Sequence, residues 1–133
     1  MRKAFSLSLV AASVLGMGVL STGTASALGG ETLGCRFGTY PTYKPACVNG
    51  TQPYFTADFL VQNETAPSTY AWSISADYSY TLAGGCTSTT NYCDVQSAGG
   101  NIVTVFVTLT QDGASETLTA SADFEQWCGK TLC

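Results

Sequence analysis

The stretch Asn101–Phe124 reads NIVTVFVTLTQ, then Asp112-Gly113, then ASETLTASADF. Asp-Gly between two runs rich in β-branched residues is typical of a β-hairpin with a two-residue type I′ turn, because both turn positions need positive φ. If Asp112 and Gly113 form the turn, Gln111 lies opposite Ala114 and every further pair follows from that one. The stretch therefore predicts one long hairpin in a single register.

This register separates the side chains of the hairpin into two faces. The pairs on one face are apolar: Val107 with Leu118, Val105 with Ala120, and Val103 with Ala122. The pairs on the other face are mostly hydroxylated: Thr108 with Thr117, Phe106 with Thr119, and Thr104 with Ser121. A slip of one residue would mix the two faces. We therefore expect an inner apolar face and an outer threonine face that carries one aromatic ring, Phe106.

Shorter alternating segments elsewhere predict further strands. They are Thr51–Gln62, Tyr70–Ala76 with a buried Trp72, Asp77–Leu82 and Tyr92–Ser97. Residues 28–34 are expected to be a loose or edge segment, and Pro41 and Pro45 exclude a central strand between Cys35 and Cys47. Six or seven short strands separated by turn signals predict an all-β fold, an antiparallel immunoglobulin-like β-sandwich.

The first 27 residues have the features of a signal peptide. Arg2 and Lys3 are basic, Ala4–Leu20 is apolar, and Ala25-Ser26-Ala27 is a small-residue cleavage site. The apolar run is short and interrupted for a membrane-spanning helix, so no membrane span is expected. The leader predicts secretion, cleavage after Ala27, and a single domain over residues 28–133.

The net charge of the chain without its leader excludes some classes of binding partner. Without the leader, three basic residues, Arg36, Lys44 and Lys130, remain against nine acidic residues, a net charge of −6. Nucleic acids and anionic membrane surfaces attract basic patches. The sequence therefore predicts neither of these partners, and an extracellular protein or glycan is the expected class.

The cysteines indicate disulfides in an oxidising compartment. All six lie after the predicted cleavage site: Cys35, Cys47, Cys86, Cys93, Cys128 and Cys133. An even number behind a signal peptide predicts three disulfides. Zinc is not expected, because the chain has no histidine and no C-x₂-C pair. No metal or cofactor is predicted.

The pairing of the cysteines is only partly determined by their spacing. Cys86 and Cys93 enclose a short polar turn and form the firmest predicted pair. The other four pair most simply as Cys35–Cys47 and Cys128–Cys133. Because the first and last strands of a sandwich lie side by side, Cys35–Cys128 and Cys47–Cys128 remain alternatives.

Three motifs carry a resemblance to known domains. Tyr70-x-Trp72, then Gly85-Cys86-Thr-Ser-Thr, then Val105-x-Val-Thr-Leu-Thr-x-Asp-Gly resemble the later strands of secreted bacterial immunoglobulin-like or PKD-like domains. The resemblance covers roughly residues 54–124 and implies a binding or spacer module. The cysteines do not flank Trp72 as they do in antibody domains, so the resemblance does not imply an inter-sheet disulfide.

Catalysis is not predicted. A chain without histidine lacks the base of Ser-His-Asp and Cys-His sites. A carboxylate pair for glycoside hydrolysis would have to come from Asp58, Asp77, Asp94, Glu116, Asp123 and Glu125. Each of these falls on a predicted polar face or loop, which favours solvated surface positions.

Two surfaces are candidates for binding. Within the Cys35–Cys47 segment, Phe37, Tyr40, Tyr43 and Lys44 place aromatic rings and a cation in a loop that a disulfide would stiffen. On the outer hairpin face, Phe106 interrupts a row of threonines. The sequence predicts a non-catalytic secreted binding module; the alternatives are an inhibitor of an extracellular protease or glycosidase that presents the Cys35–Cys47 loop, and a secreted toxin or bacteriocin.

Overall fold

The computed structural model describes residues 28–50, 55–128 and 131–132, with side chains described for residues 28–50 and 55–126. The predicted signal peptide, its cleavage site, Thr51, and the side chains of Cys128 and Cys133 lie outside the described residues. The strands are β1 Thr32–Phe37, β2 Ala46–Val48, β3 Thr56–Gln62, β4 Thr69–Ala76, β5 Thr81–Gly85, β6 Tyr92–Gln96, β7 Asn101–Gln111, β8 Ala114–Phe124, β9 Trp127–Cys128 and β10 Thr131–Leu132. No helix occurs in this part of the chain, so none is present there that could cross a membrane.

Two four-stranded sheets form the body of the protein. The first has the order β1-β3-β6-β5 and the second the order β2-β8-β7-β4, while β9 and β10 form a small separate pair. The predicted all-β, disulfide-stabilised sandwich is confirmed. The predicted number of six or seven strands is too low, because eight strands build the two sheets. One pairing also departs from the predicted antiparallel arrangement, since the short edge strand β2 runs parallel to β8.

The hairpin of β7 and β8 has the predicted register along its whole length. Gln111 pairs with Ala114, Val107 with Leu118 and Val103 with Ala122. Asp112 and Gly113 have φ of 49° and 84°, as the turn requires. Val103, Val105 and Val107 are fully buried, whereas Phe106 on the other face is 37% exposed. The assignment of the two faces is therefore confirmed.

Inward-facing residues of both sheets form one core. It contains Leu33, Phe37, Ala57, Phe59, Val61, Val95, Val103, Val105, Val107, Leu109, Ala120, Ala122 and Phe124, with buried cysteines. Alternate residues of β3 are buried, as period-2 alternation requires, and in β1 Gly34 is buried together with the inward-facing Leu33, Cys35 and Phe37. Phe55, predicted to share the inner face of β3, lies just before the strand and is exposed.

Two further predictions concern the bounds of strands. The segment 28–34 was predicted to be loose or an edge segment, and the edge alternative is confirmed from Thr32 onward, where β1 begins and pairs with β3 at the edge of its sheet. The predicted strand Asp77–Leu82 is wrong in its bounds, since β5 begins at Thr81 and continues to Gly85 across an irregularity between Leu82 and Gly84.

Trp72 is half-buried rather than buried. Its indole Nε1 donates to the backbone oxygens of Thr87 and Thr90, both at 3.2 Å. The ring therefore packs its apolar body against the core while its polar edge holds the 86–93 turn against β4.

The two described disulfides are Cys35–Cys47 and Cys86–Cys93. Both were predicted as local pairs, and the alternatives that joined Cys35 or Cys47 to Cys128 are wrong. Cys35 lies in β1 and Cys47 in β2, which belong to different sheets. This disulfide therefore joins the two sheets, a connection that the sequence did not predict.

Candidate functional site

A row of charged side chains crosses the outer face of the first sheet. Arg36 of β1 pairs with Asp58 of β3, and Asp58 pairs in turn with Asp94 of β6. Residues opposite each other on neighbouring strands point to the same face, so these three side chains lie side by side. Gly84 of β5 ends the row, where a Cβ atom would lie 3.1 Å from Oδ2 of Asp94.

Tyr43 covers the row from the Cys35–Cys47 segment. Its hydroxyl donates to Asp58 Oδ2 at 2.5 Å, and its ring lies under the guanidinium of Arg36 at 4.5 Å. Arg36 Nε also donates to Asp58 Oδ2, at 3.2 Å. Gly34 makes the approach possible, because a Cβ atom there would lie 2.6 Å from the Cβ atom of Tyr43. The tyrosine, the arginine and the aspartate therefore form one connected cluster.

The cluster changes the acidity of two of its members. Partial burial, a hydrogen bond with Asp58 and the charge of Asp58 raise the pKa of Asp94 to about 6, although Arg36 opposes the change. Burial and the bond to Asp58 raise the pKa of Tyr43 to about 12. At neutral pH the phenol is therefore a hydrogen-bond donor, and Asp94 gains a proton as the medium becomes mildly acidic.

An open groove of about 440 Å³ lies over this cluster. Its lining residues are Gly38, Tyr43, Thr56, Asp58, Leu60, Tyr92 and Asp94, and we call it the acidic groove. Tyr92 is 39% exposed and stands beside Asp94 on β6. A volume of this size is in the range of small-molecule and ligand-fragment sites. Because strands rather than mobile loops carry most of the lining, the groove is rigid.

The Cys35–Cys47 segment forms a second, smaller cavity of about 360 Å³, lined in part by Arg36, Tyr40 and Lys44. Lys44 is tied to Cys35 by two backbone hydrogen bonds, at 2.7 and 3.0 Å. Tyr40 and Lys44 are exposed, as a binding surface requires. The segment is thus a closed, ordered loop beside β1.

The predicted binding residues do not form one site. Phe37 is wrong as a binding residue, because it is 0% exposed and packs against Phe124 in the core. Tyr43 belongs to the acidic groove, whereas Tyr40 and Lys44 line the second cavity. Phe106 lies on the outer face of the second sheet, which is a different surface.

The predicted positions of three carboxylates also need correction. Asp58 and Asp94 lie on a polar strand face as predicted, yet both are partly buried within a cluster rather than freely solvated. Glu116 was assigned to a polar face, but it pairs with Leu109 and therefore points to the core side of the hairpin. No three histidine, cysteine, aspartate or glutamate side chains of the described ranges are grouped to hold a metal ion.

Asp94→Asn is expected to raise the free energy of unfolding at pH 7 by about 1 kcal/mol, because it removes a charge that Asp58 repels. The effect is smaller than the full pKa shift implies, since solvent screens part of the interaction. The raised pKa means that the folded state binds a proton more tightly than the unfolded state between pH 3.8 and about 6. The contribution of Asp94 to stability is therefore present at low pH and lost as the pH rises through about 6. Urea unfolding from pH 4 to 8 measures both effects.

Asp77→Asn is the matched control for this prediction. It removes the same charge from an exposed position outside the strands. We expect its stability to follow that of the wild-type protein across the pH range. An Asp94→Asn protein that is less stable than wild type at pH 7 would contradict the assigned strain between the two carboxyl groups.

The comparisons with known proteins leave the site to be interpreted from its own geometry. No protein-family model matches the chain, and no curated protein or solved structure shows significant similarity to it.

Proposed function

We propose that this protein is a small, secreted, non-catalytic binding module that holds an extracellular glycan in the acidic groove. The observation that carries the proposal is the direct cross-strand pairing of Asp58 with Asp94. Like charges in this position destabilise a sheet. The repulsion between Asp58 and Asp94 lowers the stability of the free protein. A ligand that binds both carboxylates in the groove would explain why they are placed together.

The chemistry of the groove suits a polyhydroxylated ligand. Carboxylate oxygens accept hydrogen bonds from hydroxyl groups, and the phenol of Tyr43 and the guanidinium of Arg36 both donate to Oδ2 of Asp58 and so hold this carboxylate in place. The exposed ring of Tyr92 offers a flat apolar surface on which the C–H face of a sugar ring packs. Together they provide polar and apolar contacts within one groove.

The closeness of the two carboxyl groups supports binding without hydrolysis. Glycoside hydrolases keep their two carboxyl groups about 5–9.5 Å apart, so that the scissile bond or a water molecule fits between them. Asp58 and Asp94 are direct cross-strand partners, so their carboxyl groups lie side by side on one face of the sheet. This arrangement favours binding over hydrolysis, because a scissile bond has to fit between two catalytic carboxyl groups.

The fold and the cysteines support an immunoglobulin-like domain outside the cell. Immunoglobulin sheets contain strands A, B, E and D on one side and C, F and G on the other. The orders β1-β3-β6-β5 and β8-β7-β4 follow the same scheme, with β2 added at one edge. Two disulfides fit an oxidising compartment, as does the leader with its cleavage site after Ala27.

The loop-inhibitor alternative has less support. An inhibitor of a protease presents an extended segment whose backbone groups pair with the enzyme. The backbone N–H and C=O of Lys44 are already bonded to Cys35. The backbone groups of Lys44 are therefore occupied within the protein's own fold, whereas such an inhibitor needs them free to pair with the enzyme.

Tyr92→Ala is expected to weaken glycan binding at least about tenfold, which corresponds to about 1.4 kcal/mol. Pull-down of the oxidised protein on insoluble polysaccharides and on isolated cell envelope identifies the ligand, and titration of a soluble fragment gives the affinity. Tyr78→Ala is the matched control, because Tyr78 is 71% exposed and does not line the groove. Both variants should melt close to the wild-type temperature.

Other outcomes relocate the site or contradict the proposal. Loss of binding on Tyr40→Ala with normal binding of Tyr92→Ala would move the site to the Cys35–Cys47 loop. The same result for Phe106→Ala would move it to the outer hairpin face. Release of sugar from a bound glycan would contradict the non-catalytic assignment, and retention only by a protein of the envelope would contradict the glycan.

A further inference from the structure

Two glutamates, Glu31 buried and Glu116 half-buried, meet at one end of the sandwich, beside the turn of the hairpin. Glu31 precedes β1 and continues the inward-facing series of Leu33 and Cys35. Glu116 belongs to β8 and faces the core side through its pairing with Leu109. The two carboxylates thus come from opposite sheets and point into the same space.

One backbone amide joins them. The N–H of Gly29 donates to Oε1 of Glu31 at 2.9 Å and to Oε1 of Glu116 at 3.0 Å. Glu31 is 4% exposed, and its Oε2 is buried without a hydrogen-bond partner among the described residues. A buried carboxylate is costly unless a positive charge compensates it, and a second carboxylate at the same amide adds repulsion.

The cationic side chains of the described residues do not supply this charge. The ion pair found in this part of the chain joins Arg36 to Asp58, on the outer face of the first sheet. The neutral amide of Gly29 does not balance the charge of two carboxylates. The site therefore has the chemistry of a receptor for a small cation with several N–H donors.

We propose that this pocket receives the α-ammonium group of Leu28, which is created when the leader is removed after Ala27. The inference rests on the proposed cleavage. A peptidase adds water across the Ala27–Leu28 peptide bond: the C–N bond breaks, Ala27 gains a carboxylate, and the nitrogen of Leu28 becomes an amine that is protonated at neutral pH. A neutral amide is thereby replaced by a cation with three N–H donors.

The position of Leu28 fits this role. Successive backbone nitrogens are separated by at most about 3.6 Å, so the new ammonium lies one short step from the Gly29 amide that already contacts both carboxylates. The side chain of Leu28 packs against the core, which holds the residue at this end of the sandwich. Removal of the leader thus completes an ion pair within the domain and stabilises the mature form over the precursor.

The ion pair has a defined pH dependence. The two carboxylates raise the pKa of the α-amino group above its usual value of about 7.7–8.0. The stabilisation is therefore complete below about pH 8 and is lost as the pH rises through the higher pKa of the folded state. We expect the folded protein to bind this proton at least about tenfold more tightly than the unfolded chain.

Four oxidised proteins test the proposal as a thermodynamic cycle. Two begin at Leu28, exposed by removal of an N-terminal fusion, and two retain residues 24–27; each pair comprises the wild type and Glu31→Gln. We expect the wild-type chain that begins at Leu28 to melt about 4–8 °C above its extended form at pH 7. The two Glu31→Gln proteins should melt at nearly the same temperature, and NMR titration of the isotope-labelled, unmodified protein should give the raised α-amino pKa.

Each control has a result that would overturn the proposal. Glu125→Gln removes one carboxylate beyond the opposite end of β8, and it should leave the difference between the two chain starts unchanged. The same two chain starts with Glu116→Gln extend the cycle to the second carboxylate. The ion pair is refuted if the two wild-type forms melt at the same temperature, or if their difference persists in both Glu31→Gln and Glu116→Gln. Equal stabilisation of both forms by calcium chloride would assign the pocket to a metal cation instead.

The premise is tested separately from the pocket. The intact mass of the protein recovered from culture medium shows whether the natural chain begins at Leu28. A different start would refute the proposed cleavage, while the recombinant cycle would still report on the carboxylate pocket itself. Loss of glycan binding in any of these proteins would concern the acidic groove and not this pocket.

Discussion

Phe37→Ala is expected to lower the free energy of unfolding by about 3–5 kcal/mol, the usual cost of removing a buried aromatic ring. Phe37 is 0% exposed, and its ring meets that of Phe124 edge to face with centroids 5.0 Å apart. The two rings come from opposite sheets, so their loss opens a cavity between the layers. Because a domain of this size is stabilised by about 5–15 kcal/mol in total, the variant loses a large part of its stability.

Urea unfolding followed by tryptophan fluorescence measures this loss. Tyr40→Ala is the control from the same segment, since Tyr40 is 39% exposed whereas Phe37 is fully buried, and it should change stability by less than about 1 kcal/mol. Phe37→Leu provides an intermediate variant if the alanine protein does not fold. A Phe37→Ala protein as stable as Tyr40→Ala would contradict the placement of Phe37 in the core.

Joint replacement of Cys35 and Cys47 by alanine is expected to cost about 3 kcal/mol. The disulfide closes a loop with a sequence separation of 12, and closing a loop of this length restricts the unfolded chain by about that amount. Both cysteines are also buried, and they connect the two sheets. Their removal therefore frees β2, a strand of three residues, from its covalent anchor.

The Cys86→Ala, Cys93→Ala double variant is the matched comparison. Its disulfide has a sequence separation of 7 and holds a turn next to the first sheet. We expect it to cost about 2.5 kcal/mol and to leave β2 in place. Hydrogen exchange distinguishes the two variants: amide protection of Cys47 and its neighbours in β2 should fall only when the Cys35–Cys47 disulfide is removed. Unchanged protection there would contradict the anchoring role.

The hairpin was predictable from sequence because its information is local. The Asp112-Gly113 turn and the alternation of side chains both specify one register, and every pair of β7 with β8 agrees with it. The same register also places Glu116 opposite Leu109, so the inward position of this glutamate was present in the sequence. The role proposed for Glu116 depends on its neighbour Glu31, which comes from the side of the other sheet and could not be paired with it from the sequence.

The remaining errors arise where neighbours distant in sequence determine the structure. Phe37 follows the alternation of Leu33 and Cys35, but the prolines that come after it suggested a loop that begins at Cys35. β5 ends in glycines that carry no side-chain pattern. Gly85, with φ of 68°, lies against the ring of Tyr92, where a Cβ atom would be 2.7 Å from the ring carbons.

The candidate site could not be predicted from the sequence for a related reason. Alternation shows that Asp58 and Asp94 lie on polar faces, but it does not show which strands are neighbours. β3 and β6 pair although two other strands separate them in the chain. The acidic groove therefore depends on sheet order, which short-range patterns do not specify.

The parallel contact between β2 and β8 has a consequence for the order of folding. Asn49, directly after β2, donates to the backbone oxygen of Glu125, which is 76 residues away in the chain. A ribosome makes β2 early and β8 late, so β2 has no partner in its sheet until the hairpin has been made. Hairpins close within about 1–10 μs, whereas contacts between distant segments are slow to form. We therefore expect the second sheet to assemble only on the completed chain, with the hairpin as its template and β2 as its last strand.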